Sequence, residues 1–549
     1  MYFCIKESKT KKHYIFTIKK GNKQKHLVKK LKDIKYSKNK NKYVCTINED
    51  NNKILKMMNY IIPDLKLNLK REPYFFQKQV IKKIDSFKGR CLLALDMGTG
   101  KTNISLAYTQ LHKKDFPVLI ICPASVIYNW EKEIKMTVPG NPRIIILDNS
   151  VPKNFFIRSY DFVIINYDIF PNTYEKVQFG KRTKHIEILK TGWVDFLCAK
   201  GFKVCIVDEA HYIKNNTTAR TKSIQKFCRN IPKILFLTGT PIENNVMDIF
   251  NAIQLLRKNI FPKRSVYAKR YCYPEHNGYT IVYKKSRNEK ELNKILTNNL
   301  MIRLKKEEVL DQLPKLNIEV IPMKINNLKE YKEVMKDFIG YLQKNPHMGD
   351  YQKALKAHDV TKLAMLLRLS NIGKIQAVTQ WIEDYIATGK KLVVFCTFVK
   401  DVLNPLYKKF EKISVRLAGD TNKKKRQEYV DKFDKDPNCK IFFAQLKAGG
   451  VGLNLVAADT TLHCGLAYNP QLHDQARDRV NRIGQKSSNV NMYYAIAKDT
   501  AEEPLIDILD EKRAISDKVI DGEENMVSIS VRDELRKRVL GEGRYPLFT

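Results

Sequence analysis

Residues 91–102 read Cys91-Leu92-Leu93-Ala94-Leu95-Asp96-Met97-Gly98-Thr99-Gly100-Lys101-Thr102. An apolar run without polar alternation suits a strand buried on both faces, as in a parallel sheet. The glycine-bearing turn after it opens a helix. Such a turn presents backbone N–H groups to phosphate oxygens, and the helix dipole favours negative charge there. Gly98, Thr99 and Gly100 would cradle a nucleotide's phosphates, Lys101 would neutralise the β and γ groups, and Thr102 would ligate magnesium. The strict phosphate-loop pattern carries glycine where this chain has Leu95, so the assignment needs partners downstream.

Those partners are present. Asp208-Glu209-Ala210-His211 follows the apolar run Val204–Val207, which puts two acids at the C-terminal edge of a sheet, where ligands of open α/β sheets bind. Asp208 would hold magnesium through water, and Glu209 would polarise an attacking water as general base. A lone Asp-Glu pair is as readily a solvated turn; after a buried strand and a glycine-rich loop it points to hydrolysis of ATP. Thr238-Gly239-Thr240 closes another apolar run, and its hydroxyls could sense the γ-phosphate and pass its loss onward.

Outward from these motifs, short apolar runs alternate with amphipathic helical stretches: CLLAL, VLIIC, FVIIN, VCIVD and ILFLT. Strands separated by helices make βαβ units and a doubly wound α/β lobe. The pattern restarts at Lys391 with KLVVFC and continues through ISVRL, KIFFA, TTLHC and NMYYAI. The organisation expected is a small basic α+β module over 1–70, a first lobe over 71–255, helical insertions and a bridge over 256–375, a second lobe over 376–510, and a charged tail over 511–549. Within the first module, Leu27, Val28, Leu31 and Ile34 share one face of a helix expected over Leu27 to Lys35.

In the second lobe, Gln475-Ala476-Arg477-Asp478-Arg479-Val480-Asn481-Arg482 has the pattern of a helix, with Gln475, Arg479 and Arg482 at i, i+4 and i+7 on one face. Such a polar stripe is often solvated surface. The alternative is a pair of arginine fingers that stabilise transition-state charge.

The chain holds 99 Lys and Arg against 58 Asp and Glu, a net charge of +41 over 549 residues. That surplus favours a polyanion such as nucleic acid, although AT-rich coding also raises lysine. The run Lys423-Lys424-Lys425-Arg426 is the local candidate for phosphate contacts on DNA, with a solvated helix start as the alternative. Eleven cysteines are scattered without the spacing of a zinc site or a disulfide framework, as in a reducing compartment. No apolar run approaches the roughly 18 residues a membrane helix needs, and the N-terminus lacks a signal peptide's apolar stretch. A cytoplasmic chain with no membrane partner is expected.

Taken in order, Phe76-Gln77, DMGTGKT, Cys122-Pro123 with Asn129-Trp130, DEAH, LTGTPIENN, AGGVGLNL and QARDRVNRIGQ resemble the Snf2 family of superfamily 2 DNA translocases over roughly residues 71 to 510. The resemblance implies two RecA-like lobes, ATP and magnesium as cofactors, a monomer, and DNA as a partner read without sequence specificity. It implies that Gln77 reads the adenine, that Gly450 and Gly452 lie near nucleotide and DNA, and that Gln475, Arg479 and Arg482 complete the ATP site. Tyr468 stands where the family usually has tryptophan and Asn481 where it usually has histidine, which puts coupling rather than hydrolysis in question. Met301-Ile302-Arg303-Leu304-Lys305 with Leu313-Pro314, and the stretch LVKKLKDIKYSKNKNKYVCTIN, look like the annealing-helicase branch and its HARP module, with Tyr43 in place of an expected tryptophan. The activity expected is ATP-driven movement on double-stranded or branched DNA, which remodels or reanneals it in repair, recombination or replication. A strand-separating helicase and a motor that clears proteins such as a polymerase from nucleic acid are the alternatives.

Overall fold

Each uninterrupted apolar run becomes a strand of one of two parallel sheets. The computed structural model describes residues 5–8, 12–16, 25–37, 42–57, 65–149, 156–179, 184–242, 246–276, 281–309, 314–348, 358–449, 453–482, 484–521, 535 and 538–540. The chain divides into two units, residues 1–241, 247–268 and 291–311 in one, and 242–246, 269–290 and 312–549 in the other.

The N-terminal module is a four-stranded antiparallel sheet of β1 (Ile5–Glu7), β2 (His13–Phe16), β3 (Lys35–Ser37) and β4 (Lys42–Thr46), in the order β1-β2-β4-β3. Ile5, Tyr14, Phe16, Val28, Leu31, Cys45 and Leu55 form its core. The expected helix over 27–35 is instead a 3-10 stretch, Lys25–Lys30. Val28 and Leu31 still face inward, but Asp33 takes a left-handed φ of 53° and turns the chain into β3. A helix that the sequence reading lacked, Glu49–Met57, supplies Asn51. Its amide accepts from Lys32 N at 2.8 Å and donates to the carbonyls of Lys32 and Thr46, which fixes that turn.

The first large sheet contains β5 (Arg90–Leu95), β6 (Val118–Cys122), β7 (Ile144–Ile146), β8 (Phe162–Asn166), β11 (Val204–Asp208), β12 (Lys233–Thr238) and β15 (Met301–Leu304), in the order β15-β5-β12-β11-β6-β8-β7. All six pairings are parallel. Every residue of β6 and β8 is buried, as a strand covered on both faces requires. A hairpin of β9 (Thr173–Phe179) and β10 (Lys184–Thr191) is inserted after β8.

The second unit holds β16 (Lys315–Met323), β17 (Leu392–Cys396), β18 (Ser414–Leu417), β19 (Ile441–Gln445), β20 (Thr460–His463) and β21 (Asn489–Ala497), ordered β16-β21-β20-β17-β19-β18 and again all parallel. The helices His358–Gly373 and Glu502–Asp521 cover it. Their junction is tied by a fully buried ion pair, Lys374 Nζ to Glu502 Oε2 at 2.5 Å, with Asn371 donating to the other carboxylate oxygen.

Residues 256–375 are not a purely helical bridge. They carry an antiparallel pair, β13 (Cys272–His276) with β14 (Ile281–Ser286), and they supply an edge strand to each large sheet, β15 and β16. Edge strands are covered less completely than central ones. β15 has only four residues, and β16 leaves Ile318 and Val320 about half exposed, so neither shows the continuous apolar run of a central strand. The tail is also partly packed: Leu535 and Val539 join the core of the second unit, and Arg538 pairs with Glu511 at 3.1 Å. Among the described residues, no helix is long and apolar enough to cross a membrane.

Candidate nucleotide site

β5, β12 and β11 are neighbours, and their register aligns their C-terminal ends. Thr238 pairs with Ala94, and Asp208 pairs with Leu237. The phosphate loop, the Thr238 hydroxyl and the two acids therefore emerge along one edge of one sheet.

The loop folds as its composition dictates. Gly98 and Gly100 have φ of 79° and 83°, and Gly100 caps the helix Lys101–Leu111. A Cβ at Gly100 would stand 2.4 Å from Gln77 Nε2, so both the backbone and the space there select glycine. Leu95, where the strict pattern has glycine, is simply the last residue of β5. It is fully buried and needs no unusual φ. Lys101 Nζ donates to Leu95 O at 2.7 Å and Asp96 O at 3.3 Å, and the Thr99 hydroxyl donates to Asp96 O at 2.7 Å. Gln77, on the helix Phe75–Ser86, is 2% exposed. Its amide donates to Thr99 O at 2.9 Å and accepts from Tyr74 N and Asn103 Nδ2. The residue assigned to adenine thus braces the phosphate loop.

Asp208 ends β11 and is gripped from three sides. Trp130 Nε1 donates to Oδ2 at 2.9 Å, Glu209 N donates to Oδ1 at 3.0 Å, and the Tyr167 hydroxyl donates to the Asp208 carbonyl at 2.5 Å. Tyr167 stacks on Tyr212, and the Arg220 guanidinium lies over both rings. Burial, and then the Glu209 charge, push the Asp208 carboxyl up to about 6, against the Trp130 N–H and the nearby Lys101 ammonium. Burial disfavours the ionised form, so a cation at this edge would find a poorly hydrated ligand. Glu209 sits at a left-handed φ of 50°, uncommon for a residue with a side chain. One of its oxygens lies 3.3 Å from His211 Nδ1, which also lies 3.3 Å from Thr238 Oγ1; that oxygen accepts from Thr240 N at 3.1 Å. One imidazole nitrogen therefore lies between the proposed base and the Thr238 hydroxyl. A Cβ on Gly239 would press Met97 of the phosphate loop at 3.2 Å.

In the second unit, Gln475 lies on the helix Pro470–Arg477 and is 9% exposed. That helix stops at Arg477, so the expected single helical face is corrected. The following N–H groups turn back three residues, Arg479 N to Ala476 O and Val480 N to Arg477 O, and Arg482 N reaches Val480 O. Arg477 side-chain bonds to Asp474 and Asp478 hold this end. Arg479 and Arg482 nevertheless converge, because a guanidinium N–H of each points at the Leu453 carbonyl, at 3.5 and 3.4 Å. Gly450 and Gly452, just before Leu453, lie outside the described residues, as do Glu243 and Asn244 of LTGTPIENN. Lys425 is exposed on the helix Lys423–Lys435, while the Lys424 side chain is outside the described residues. The Arg426 guanidinium turns inward to Thr421 O at 3.3 Å and Ala418 O at 3.5 Å. It braces the preceding turn.

A model of the SNF2-related domain matches residues 67–427, and the helicase conserved C-terminal domain matches residues 373–484. The chain belongs to the SNF2 family. That family's motor is a DNA-dependent ATPase on two RecA-like lobes, and the two parallel sheets here are those lobes. A Xenopus laevis relative, SWI/SNF-related matrix-associated actin-dependent regulator of chromatin subfamily A-like protein 1, is 30% identical over 80% of this chain and 43% of its own length. The DNA annealing helicase and endonuclease ZRANB3 of Mus musculus is 29% identical over 86% of this chain and 43% of its own. The Sulfolobus solfataricus SWI2/SNF2 ATPase core in complex with dsDNA is 23% identical, with a TM-score of 0.40, over 84% of this chain and 96% of that one. The chain spans about half the length of the curated relatives it matches, between 42% and 58%.

Within the SNF2 motor, residue patterns alone missed three supports. Trp130 entered only as a family match, Tyr167 not at all, and Arg303 only as part of a branch-specific segment. Each acts through a neighbour brought close by the sheet, which residue spacing does not reveal. The donor set at the sheet edge fits magnesium: a hydroxyl at Thr102 and a buried carboxylate at Asp208, the remaining positions being left to nucleotide oxygens and water. Among the described residues no cluster of three or more His, Cys, Asp or Glu could hold a metal, and this mode of holding the ion needs none.

Proposed function

We propose that this SNF2 chain hydrolyses ATP to move on double-stranded or branched DNA and to remodel or reanneal it in repair, recombination or replication, acting as a monomer. The observation that carries the reading is the shared sheet edge of β5, β12 and β11, where a phosphate loop, an Asp-Glu pair and the Thr238 hydroxyl emerge together, with His211 Nδ1 lying 3.3 Å from both Glu209 Oε2 and Thr238 Oγ1. Gly98, Thr99, Gly100 and Lys101 bind the phosphates. Glu209 accepts the proton of the attacking water, and Thr102 and Asp208 are the residues that would hold magnesium, which when bound neutralises phosphate charge. Arg479 and Arg482 stabilise the negative charge that develops during transfer. His211, Thr238 and Thr240 report the state of the base to the rest of the lobe. Gln475 and Gly452 bind nucleotide, and Gln77 holds the loop and reads the base.

Branched DNA as the substrate is supported by the likeness to an enzyme named as a DNA annealing helicase and by the N-terminal sheet. There the ring of Tyr36, 48% exposed, lies 4.7 Å from that of Tyr43, next to exposed Lys35 in a module that also exposes Lys29 and Lys30. Aromatic rings among phosphate-directed lysines suit unpaired nucleotides at a junction.

The test is ATP hydrolysis by the purified chain without DNA and with single-stranded, duplex and forked DNA, with Glu209→Gln as the blank. Duplex or forked DNA should stimulate most, and the blank should be silent. Stimulation by single strands alone would replace this reading with a strand-separating helicase, and indifference to every DNA would show that the partner is wrong.

A further inference from the structure

Asp96 stands between the end of β5 and the phosphate loop and is bonded in both directions. Its backbone carbonyl accepts from the Thr99 hydroxyl and the Lys101 ammonium, the groups that shape the loop. Its side chain faces the other way, to the edge strand β15. Asp96 Oδ1 accepts from Arg303 Nη1 at 2.6 Å, and Oδ2 accepts from Lys306 N at 2.9 Å. Asp96 N donates to Leu304 O at 3.2 Å, and the same Arg303 nitrogen reaches Ala94 O at 3.2 Å, matching the register in which Arg303 lies opposite Ala94. The Arg303 side chain is 12% exposed and that of Asp96 is 30% exposed. This pair is partly desolvated, unlike a surface ion pair of little consequence.

We propose that Arg303 is a positioning residue for nucleotide binding: it neutralises and orients Asp96 so that the phosphate loop can accept a triphosphate. A carboxylate at the first position of a phosphate-binding loop has the wrong sign for its ligand. Left without its guanidinium, Asp96 would repel the phosphates and compete for the Lys101 ammonium already beside its carbonyl. Bonded to Arg303 and Lys306 N, the carboxylate points toward β15 with its charge balanced. Its carbonyl stays aligned for Lys101. The same contact fastens the loop to the edge strand β15.

This inference rests on reading residues 96–102 as the phosphate site, which Lys101→Ala tests separately. Arg303→Gln, Arg303→Lys, Asp96→Asn and the double variant Asp96→Asn/Arg303→Gln are compared for the KM of ATP, the affinity for a fluorescent ADP, kcat and melting temperature. Arg303→Gln should weaken ADP binding and raise KM about tenfold, the size of one charge-assisted hydrogen bond, with a smaller change in kcat. Arg303→Lys should recover part of the loss. The decisive outcome is the double variant: removing the unbalanced carboxylate should restore affinity to within about threefold of the parent. A purely structural role predicts the reverse, a double variant as weak as Arg303→Gln or weaker, and that result overturns the proposal. So does unchanged affinity in a folded Arg303→Gln while Lys101→Ala abolishes binding. Should Arg303→Gln fail to fold, Arg303→Lys and the double variant still decide by their ADP affinities. Undiminished binding in Lys101→Ala would instead remove the phosphate-site reading itself.

Discussion

The two groups of proposed catalytic residues are positioned by different devices. In the first lobe the phosphate loop, Asp208 and Thr238 stand at the ends of three adjacent parallel strands whose backbone ladders set their heights to within a residue. Each is then held by short bonds, such as Trp130 to Asp208 and Gln77 to Thr99. In the second lobe Arg479 and Arg482 follow a helix that has already ended, and their guanidiniums meet at one carbonyl at the long limit of hydrogen bonding. Side chains that must bind a ground-state ligand can be locked in place. Donors that act on charge appearing during a reaction gain from being preorganised, and the turn after the helix brings both guanidiniums to one carbonyl.

Glu209→Gln tests the first lobe most severely. It should lower kcat by about a thousandfold or more while fluorescent ADP binds within threefold of normal, since general-base and positioning losses add; lost ADP binding would mean that Glu209 serves binding. Arg479→Ala and Arg482→Ala probe the second lobe. Each should lower kcat by about a hundred- to a thousandfold with little change in melting temperature, consistent with arginine fingers. A large thermal loss with normal kcat would recast both as structural braces of Leu453. Trp130→Phe keeps the ring and removes one bond to a carboxylate, so about a tenfold rise in the magnesium needed for half-maximal rate is expected. An unchanged magnesium titration would leave Trp130 as packing alone. The smallest effects separate neighbours on one basic run. Lys425→Ala should reduce the salt dependence of DNA binding by about one unit of log–log slope. Arg426→Ala should leave that slope unchanged and instead lower stability by about 1 kcal/mol, measured by urea unfolding. Equal slopes for both variants would mean that residue 426 contacts DNA after all.

Much of the first site was legible because its residues are local. Glycines at 98 and 100, a lysine and a threonine in one turn carry their own geometry, and Asp208-Glu209 needs only a strand before it. The assignment of Gln475, Arg479 and Arg482 to one helical face failed, because spacing predicts a face only while the helix lasts, and this helix ends at Arg477. The edge strands β15 and β16 were hidden inside a stretch expected to be helical, since β15 is only four residues long and partial cover breaks the apolar run of β16. Arg303 illustrates the cost: it sits 207 residues from Asp96 in sequence, and only β15 lying beside β5 makes them partners.

The order of motifs by itself determined that this chain is a two-lobed SNF2 motor, because loops that bind phosphate and carboxylates that activate water need particular residue types at short range. Tertiary structure decided which side chains support them. The Trp130–Asp208 bond, the His211–Thr238 contact and the Arg303–Asp96 pair arise from strand order and register, long-range properties of the folded sheet that no local spacing encodes.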